Sequence, residues 1–196
     1  MARQAELSAL LREVGALMDG HFLLSSGRHS PIYVEKFRLL ERPEATERLC
    51  RLIADRFRDD PDGHGGPELV AGPTTGGVIL SYEVARLLGL RGIFAEKAAG
   101  GRAFQRGFEV RPGERTLIVD DVLTTGGSIR EVIEAVRRAG GAPIGVAVLV
   151  DRSGGRTEFP DGRGGLPFFA CLELDLPTYE ETACPLCDEG APLTAT

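Results

Sequence analysis

Lysine is nearly absent from this sequence. Lys36 and Lys97 are the only two, and every other Lys/Arg position is arginine. A base-composition bias explains the scarcity as a whole, but not why these two positions are lysine. Positive charge is also in deficit. A formal net charge of -6 argues against generic nucleic-acid binding, which draws on a positive field, while leaving room for a local basic pocket. No apolar run approaches bilayer-spanning length, and the N-terminal MARQAELSALLREV lacks the profile of a secretory leader. A cytoplasmic protein with no membrane partner is therefore expected. Four cysteines in 196 residues do not make a disulfide framework. Cys184 and Cys187 form a C-x-x-C with no second pair at metal-binding spacing, while Cys50 and Cys171 stand alone. The C-x-x-C reads as a tail turn with reduced thiols; a zinc half-site completed across a dimer is the alternative. His21, His29 and His64 sit in no metal-binding motif. A G-x-x-x-x-G-K-[ST] string is missing too, which excludes a Walker-type nucleotide loop.

What is present fits an α/β domain. Hydrophobic residues at 42% and charged residues at 27% are ordinary for a globular chain, and 196 residues suffice for one domain with a substantial core. Leu7, Leu10, Leu11, Val14 and Leu17 recur at helical spacing and predict a helix over residues 5–18. A second helix is expected after Pro43, with Leu49, Leu52, Ile53 and Phe57 on one face. The segment DDPDGHGGP at 59–67 is built of turn formers. Short apolar strands then alternate with helices: strands at 68–72, 93–95, 116–121 and 143–151, helices at 76–89 and 128–140. That order implies a parallel sheet covered on both faces, with ligands bound beyond the carboxyl ends of its strands. The Gly-rich stretch 153–165 reads as a long connection or a hairpin tip.

The stretch TLIVDDVLTTGGSIREV, 116–132, carries the chemistry. Asp120 and Asp121 close a buried strand; Thr124, Thr125, Gly126, Gly127 and Ser128 lead into a helix. Free N–H groups at a helix start bind anions, glycines admit a close approach, and hydroxyls add donors. Carboxylates would repel that anion unless the ligand also carries donors or a cation, so the loop suits a phosphorylated sugar. A lone Asp-Asp pair would equally read as a strand end that caps a helix, with Ser128 as N-cap. AGPTTGG, 71–77, joins a strand to a helix in the same way and offers a second anion site or a plain turn.

LIVDDVLTTGGSI resembles the phosphoribosyl pyrophosphate (PRPP) signature of the type I phosphoribosyltransferases. The resemblance implies a parallel α/β core under a small N-terminal hood, with PRPP as substrate and Mg²⁺ held through the substrate, without a direct protein ligand. It divides the single domain, 1–196, into an N-terminal helix and hood (1–42), a core (43–175) and a tail (176–196). By resemblance, Asp120 and Asp121 hold the ribose hydroxyls and residues 124–128 the 5′-phosphate, while Pro73, Thr74, Thr75 and Gly76 form the pyrophosphate loop. HFLLSSGRHSPIYVEKF, 21–37, is similar to the hood of the orotate branch of the family. There Ser25, Ser26 and Gly27 would offer donors to an anionic base and Tyr33 a ring face. Arg152, in VDRSG, would pair bidentately with the orotate carboxylate; its alternative is a surface ion pair with Asp151. The segment 96–110 matches the family's catalytic loop in position, with Lys97 at its start and Arg102, ahead of Arg106, standing in for a missing histidine. The resemblance further implies a homodimer whose loops reach the neighbouring site in trans.

This chain departs from the family where Ser25 replaces a frequent lysine, Glu35 an Asp or Asn, and Gly76 a lysine found in some relatives. The activity implied is transfer of phosphoribose from PRPP to orotate in pyrimidine nucleotide synthesis. A purine or xanthine phosphoribosyltransferase, and a non-catalytic PRPP or nucleotide sensor, are the rivals.

Overall fold

The computed structural model describes residues 2–24, 26–58, 65–160 and 165–196. Helix α1 (Ala2–Glu13) is followed by a hairpin of β1 (Leu17–Leu23) and β2 (His29–Val34), then the short α2 (Lys36–Leu40) and α3 (Pro43–Arg58). The α/β series comprises β3 (Leu69–Pro73), α4 (Gly76–Leu88), β4 (Arg91–Ala98), β5 (Gly101–Phe104), β6 (Arg115–Leu123), α5 (Gly127–Arg138), β7 (Ala142–Asp151) and β8 (Phe168–Glu173). A 3₁₀ turn (Glu181–Ala183), α6 (Pro185–Asp188) and β9 (Thr194–Ala195) end the chain. Among the described residues no helix is long and apolar enough to cross a membrane.

The main sheet has the order β5-β4-β3-β6-β7-β8, parallel throughout except for the β4–β5 hairpin. Its apolar strands are buried because both faces are covered. Leu117, Val119, Ala147 and Leu149 join one core with α1, α3 and α4 residues such as Leu11, Leu49, Ile53 and Leu80. Ile118, Val146 and Val148 turn the other way, onto Ile129, Val132, Ile133 and Val136 of α5. Those four recur at i, i+3, i+4 and i+7, the spacing of one helix face. Successive strand residues point to opposite faces, so one apolar run feeds two cores.

From β3 the chain moves outward to β4 on one side; β6 lies on the other side and leads to β7. The carboxyl ends of β3 and β6 therefore flank a topological switch point, where open α/β sheets bind ligands. The turn out of β3 is tight: a Cβ on Gly72 would run into the backbone of Gly77, and one on Gly77 into Gly72 and Pro73.

The first helix ends earlier than its apolar spacing predicts. Gly15 takes φ +74° and its N–H bonds to Arg12 O, a left-handed stop that hands Leu17 to strand β1. The 153–165 stretch is also no hairpin tip, because β8 pairs with β7 in parallel and the connection is a crossover. Much of the turn-rich 59–67 segment lies outside the described residues.

The hood is a separate small sheet of order β2-β1-β9, so the chain's end completes it. Phe22 and Leu23 pair with Thr194 and Ala195, and His29 and Tyr179 exchange backbone hydrogen bonds of 2.9 Å each way. Tyr179 and residues 194–195 of the tail thus pair with the hood strands.

Gly72→Ala forces a methyl group into the Gly77 backbone. It is expected to destabilise the fold by about 1–3 kcal/mol, the usual cost of overpacking, read as a lower urea midpoint with an unchanged m-value.

Candidate active site

Asp120 and Asp121 are neighbours on β6 and so face opposite sides of the sheet. Both are almost fully buried. Asp120 faces α5: its Oδ2 accepts from Ser128 Oγ at 2.7 Å and its Oδ1 from the Asp121 N–H at 2.9 Å. Asp121 faces the β3–α4 turn and the hood. Its Oδ1 accepts from the Val122 N–H at 2.7 Å, and the Lys36 ammonium lies 2.8 Å from its Oδ2. That contact is an ion pair without well-aligned hydrogen-bond geometry, so Oδ2 keeps acceptor capacity. Gly76 is pressed against the same carboxylate, and a Cβ there would collide with it. A lysine at 76 would need a different arrangement of Asp121, which accounts for glycine in this chain.

Burial, and then the charge of Asp121, push the Asp120 carboxyl up to about 6. The Ser128 hydrogen bond, the Asp121 N–H and the Lys36 charge pull in the opposite direction. Ser128 is therefore not the helix cap. Gly126, at φ +76°, occupies that position, and Ser128 Oγ is engaged by Asp120. Thr124, Thr125 and Gly127 are exposed along the loop, and Arg130 Nη1 donates to Thr125 O at 2.6 Å while its guanidinium lies over Phe159.

On the other side of the switch point, Pro73 ends β3, the Thr74–Thr75 peptide is cis, and Gly76 opens α4. Arg102 is buried against this turn. Its Nη1 donates to Thr74 Oγ1 at 3.0 Å and to Ala95 O at 3.1 Å, and its Nε lies 3.2 Å from Glu131. The expectation set Arg102 beside Lys97 in a loop reaching across to a partner; here its side chain is instead anchored within its own chain. Segment 96–110 begins as the ordered β4–β5 hairpin, in which Lys97 pairs with Arg102 across the strands and stays exposed. Arg106 is held by both oxygens of Glu96 at 2.9 Å.

Arg152 follows β7, and its N–H donates to Leu123 O at 2.8 Å, which sets it beside the start of the 124–128 loop. Asp151 does not pair with it, since Asp151 Oδ1 accepts from the Ser153 N–H at 2.7 Å. Among the described residues no carboxylate forms an ion pair with Arg152, and its Nε is buried without a hydrogen-bond partner. Burial moves its guanidinium below the ordinary arginine value, against the influence of nearby Tyr33. Tyr33 stacks obliquely on Phe22, with ring centroids 5.6 Å apart. Ser26 and Gly27 lie exposed at the hairpin tip, and Ser25 lies outside the described residues. Glu35 caps α2, its Oε1 accepting from the Phe37 N–H at 3.2 Å.

One end of the sheet thus carries two strand-to-helix turns, a carboxylate pair and a guanidinium with no ion-pair partner among the described residues. Residues 38–161 match the phosphoribosyl transferase domain. The chain is 46% identical over 187 residues to an orotate phosphoribosyltransferase of Pelotomaculum thermopropionicum, covering 95% of this chain and 93% of that one. The chain belongs to the orotate phosphoribosyltransferase family. A relative of the same name from Thermus thermophilus is 46% identical over 94% of this chain and 96% of its own. Mycobacterium tuberculosis orotate phosphoribosyltransferase superposes with a TM-score of 0.68 at 29% identity, over 88% of this chain and 97% of that one. An adenine phosphoribosyltransferase from Leishmania tarentolae shares the fold alone, with a TM-score of 0.59 at 19% identity over 86% and 85% of the two chains.

Sequence reasoning missed Lys36, Arg130 and Glu131. Only Lys36 left a signal, as one of the two lysines.

Asp120 generates a pH prediction. Its folded pKa of about 6 stands above the ordinary 3.8, so the folded chain holds this proton more tightly than the unfolded chain. Stability from this group is present at low pH and lost as pH rises through about 6. Asp120→Asn removes the buried charge. Its advantage over wild type is expected to be absent near pH 3 and to grow to at most about 3 kcal/mol by pH 7.5, in urea titrations, while activity is lost. Ser128→Ala should shift the acid limb of the activity profile to higher pH.

Proposed function

We propose that this chain transfers the phosphoribosyl group of PRPP to orotate, giving orotidine 5′-monophosphate and pyrophosphate, a step of pyrimidine nucleotide synthesis. The observation that carries the proposal is Arg152: a desolvated guanidinium with a buried, unpartnered Nε beside the phosphate loop. A carboxylate-bearing base supplies the acceptor that this donor lacks, whereas a purine carries no carboxylate to offer.

Asp120 and Asp121 accept hydrogen bonds from the ribose hydroxyls, each from its own side of β6, and so fix the sugar for displacement at the anomeric carbon. Residues 124–128 hold the 5′-phosphate with backbone N–H groups and hydroxyls. The 73–76 turn holds the pyrophosphate in the same manner, with Arg102 bracing Thr74 from behind. Orotate attacks through its ring nitrogen from the opposite face, inverting the anomeric centre through an oxocarbenium-like transition state. Tyr33 flanks the base and Arg152 orients it. Holding the partners in line, and placing cations where charge develops on the departing pyrophosphate, supplies the acceleration. Orotate is already an anion, so a strong protein base is not required.

The donors at the switch point are oxygens, which suits Mg²⁺. Lys36 beside Asp121 disfavours direct coordination by that carboxylate; Asp120 and Asp121 would hold the cation through the ribose hydroxyls and pyrophosphate oxygens of the substrate. When bound, it neutralises developing negative charge on the leaving group.

A homodimer sharing loops in trans rests here on Lys97 alone, an exposed cation of the hairpin. Mixing Lys97→Ala and Asp121→Asn subunits at random leaves one complete site in each mixed dimer. About a quarter of wild-type activity is then expected, since symmetric pairing makes half the dimers mixed. No recovery after verified exchange would place Lys97 in cis.

The function itself is tested with a base panel, following pyrophosphate release from PRPP with orotate, uracil, adenine, guanine, hypoxanthine or xanthine. Turnover is expected with orotate alone. Arg152→Ala should lower kcat/KM for orotate by about 10- to 100-fold, the cost of one hydrogen bond to a charged group. Turnover with a purine would assign the chain to a sister activity, and PRPP binding without turnover would make it a sensor.

A further inference from the structure

Outside the residues of the switch point, the hood and the tail assemble a second constellation. His21 lies on β1, His29 opens β2, and Cys184 and Cys187 flank the start of α6. One ligand atom from each of the four lies within 4.8 Å of all the others. His21 Nε2 is 2.9 Å from His29 Nδ1, 3.5 Å from Cys184 Sγ and 3.8 Å from Cys187 Sγ; Cys187 Sγ is 3.3 Å from His29 Nδ1. Tetrahedral zinc with metal–nitrogen bonds near 2.0 Å and metal–sulfur bonds near 2.3 Å needs ligand–ligand edges of about 3.3–3.8 Å. The four atoms already approach that figure, and the two imidazoles need only separate by a few tenths of an ångström.

We propose that His21, His29, Cys184 and Cys187 bind one Zn²⁺ per chain and thereby clasp the C-terminal tail to the hood hairpin. The outer hydrogen bonds support the assignment. His21 Nδ1 is 2.9 Å from the carbonyl of Ala191, which can only accept. The ring proton therefore sits on Nδ1, and the Nε2 lone pair is turned inward, toward the other three groups. A carbonyl behind a ligating histidine is a usual support for a metal site. Two thiolates and two neutral imidazoles also cancel the charge of a divalent cation. A neutral site is what a place lined by buried His21, His29 and Cys184 can hold. Cys187, at the solvent-facing rim, gives the ion its way in.

All four positions are filled by protein, so the site is structural and leaves no coordination position for a substrate. Its effect on function is positional. The turn carrying Ser26 and Gly27 lies between the two histidines, closed by Leu24 N–H to Arg28 O and Gly27 N–H to Leu24 O, each 2.8 Å. Arg28 in turn reaches into the tail, donating to Thr178 and pairing with Glu180. A metal at the base of the hairpin fixes both legs of that turn against the tail. From sequence the thiol pair reads as a reduced tail turn, with a half-site completed across a dimer as the alternative; the fold sets two histidines of the same chain against it.

The test is metal content together with spectroscopy on the full-length protein. Purified without chelators or an affinity metal, the chain is expected to carry one zinc, measured by elemental mass spectrometry. Replacement with Co²⁺ should give the intense visible d–d bands of tetrahedral coordination and thiolate charge-transfer bands. Cys187→Ser, a small change at the rim, should lose the metal and these bands while remaining folded by circular dichroism. A zinc chelator should lower the wild-type Tm to that of this variant. Asp120→Asn, at the other site, should keep the metal. The proposal is overturned by a chain that holds no zinc after incubation with it, or by Co²⁺ spectra that are not tetrahedral. Mass spectrometry showing a Cys184–Cys187 disulfide in protein kept under reducing conditions would overturn it as well.

Discussion

Two carboxylates in sequence, buried at the end of one strand, repel each other and each loses hydration. The surroundings of β6 answer that pressure. Strand alternation sends the side chains to opposite faces, where each meets its own relief: Ser128 on the α5 side for Asp120, Lys36 from the hood for Asp121. The glycine against Asp121, the helix starts on either side and the placing of the hood over the sheet edge all accommodate this pair. The cost remains visible in the raised pKa of Asp120. Such stored unfavourable charge is common where a site awaits ligand donors and cations.

Much of this was legible before any coordinates. Strands that are continuously apolar, such as LIV at 117–119 and VAVLV at 146–150, can only be covered on both faces, and the parallel sheet followed. The Asp-Asp-x-x-Thr-Thr-Gly-Gly-Ser string kept its local meaning because every part of it is contiguous, running from strand end through loop to helix start. The position of Arg152 was legible for the same reason: it directly follows a strand whose partner carries the carboxylates.

Contacts between distant segments were not legible. Nothing near Lys36 announces Asp121, and nothing near Arg102 announces Thr74 or Glu131; these pairs exist only once the sheet order is known. The helix spacing through Leu17 was a real pattern but gave way to Gly15, whose left-handed φ ends α1. His21 and His29 are separated by one hairpin turn, a spacing with no helical or motif signature, so their convergence on two tail cysteines is a product of pairing between β1, β2 and the chain's end.

That pairing has a consequence for how the molecule is made. The Thr196 hydroxyl bonds to Leu23 O, 173 residues away in sequence, and β9 completes the hood sheet from the last residues of the chain. The core from β3 to β8 has all its strands as soon as residue 173 has been synthesised. The hood lacks this edge strand until Thr194 and Ala195 have been made. During translation, then, the sheet that carries the carboxylate pair has its strands first, and the hood sheet gains its third strand later, through the pairing of widest sequence separation among the described strands.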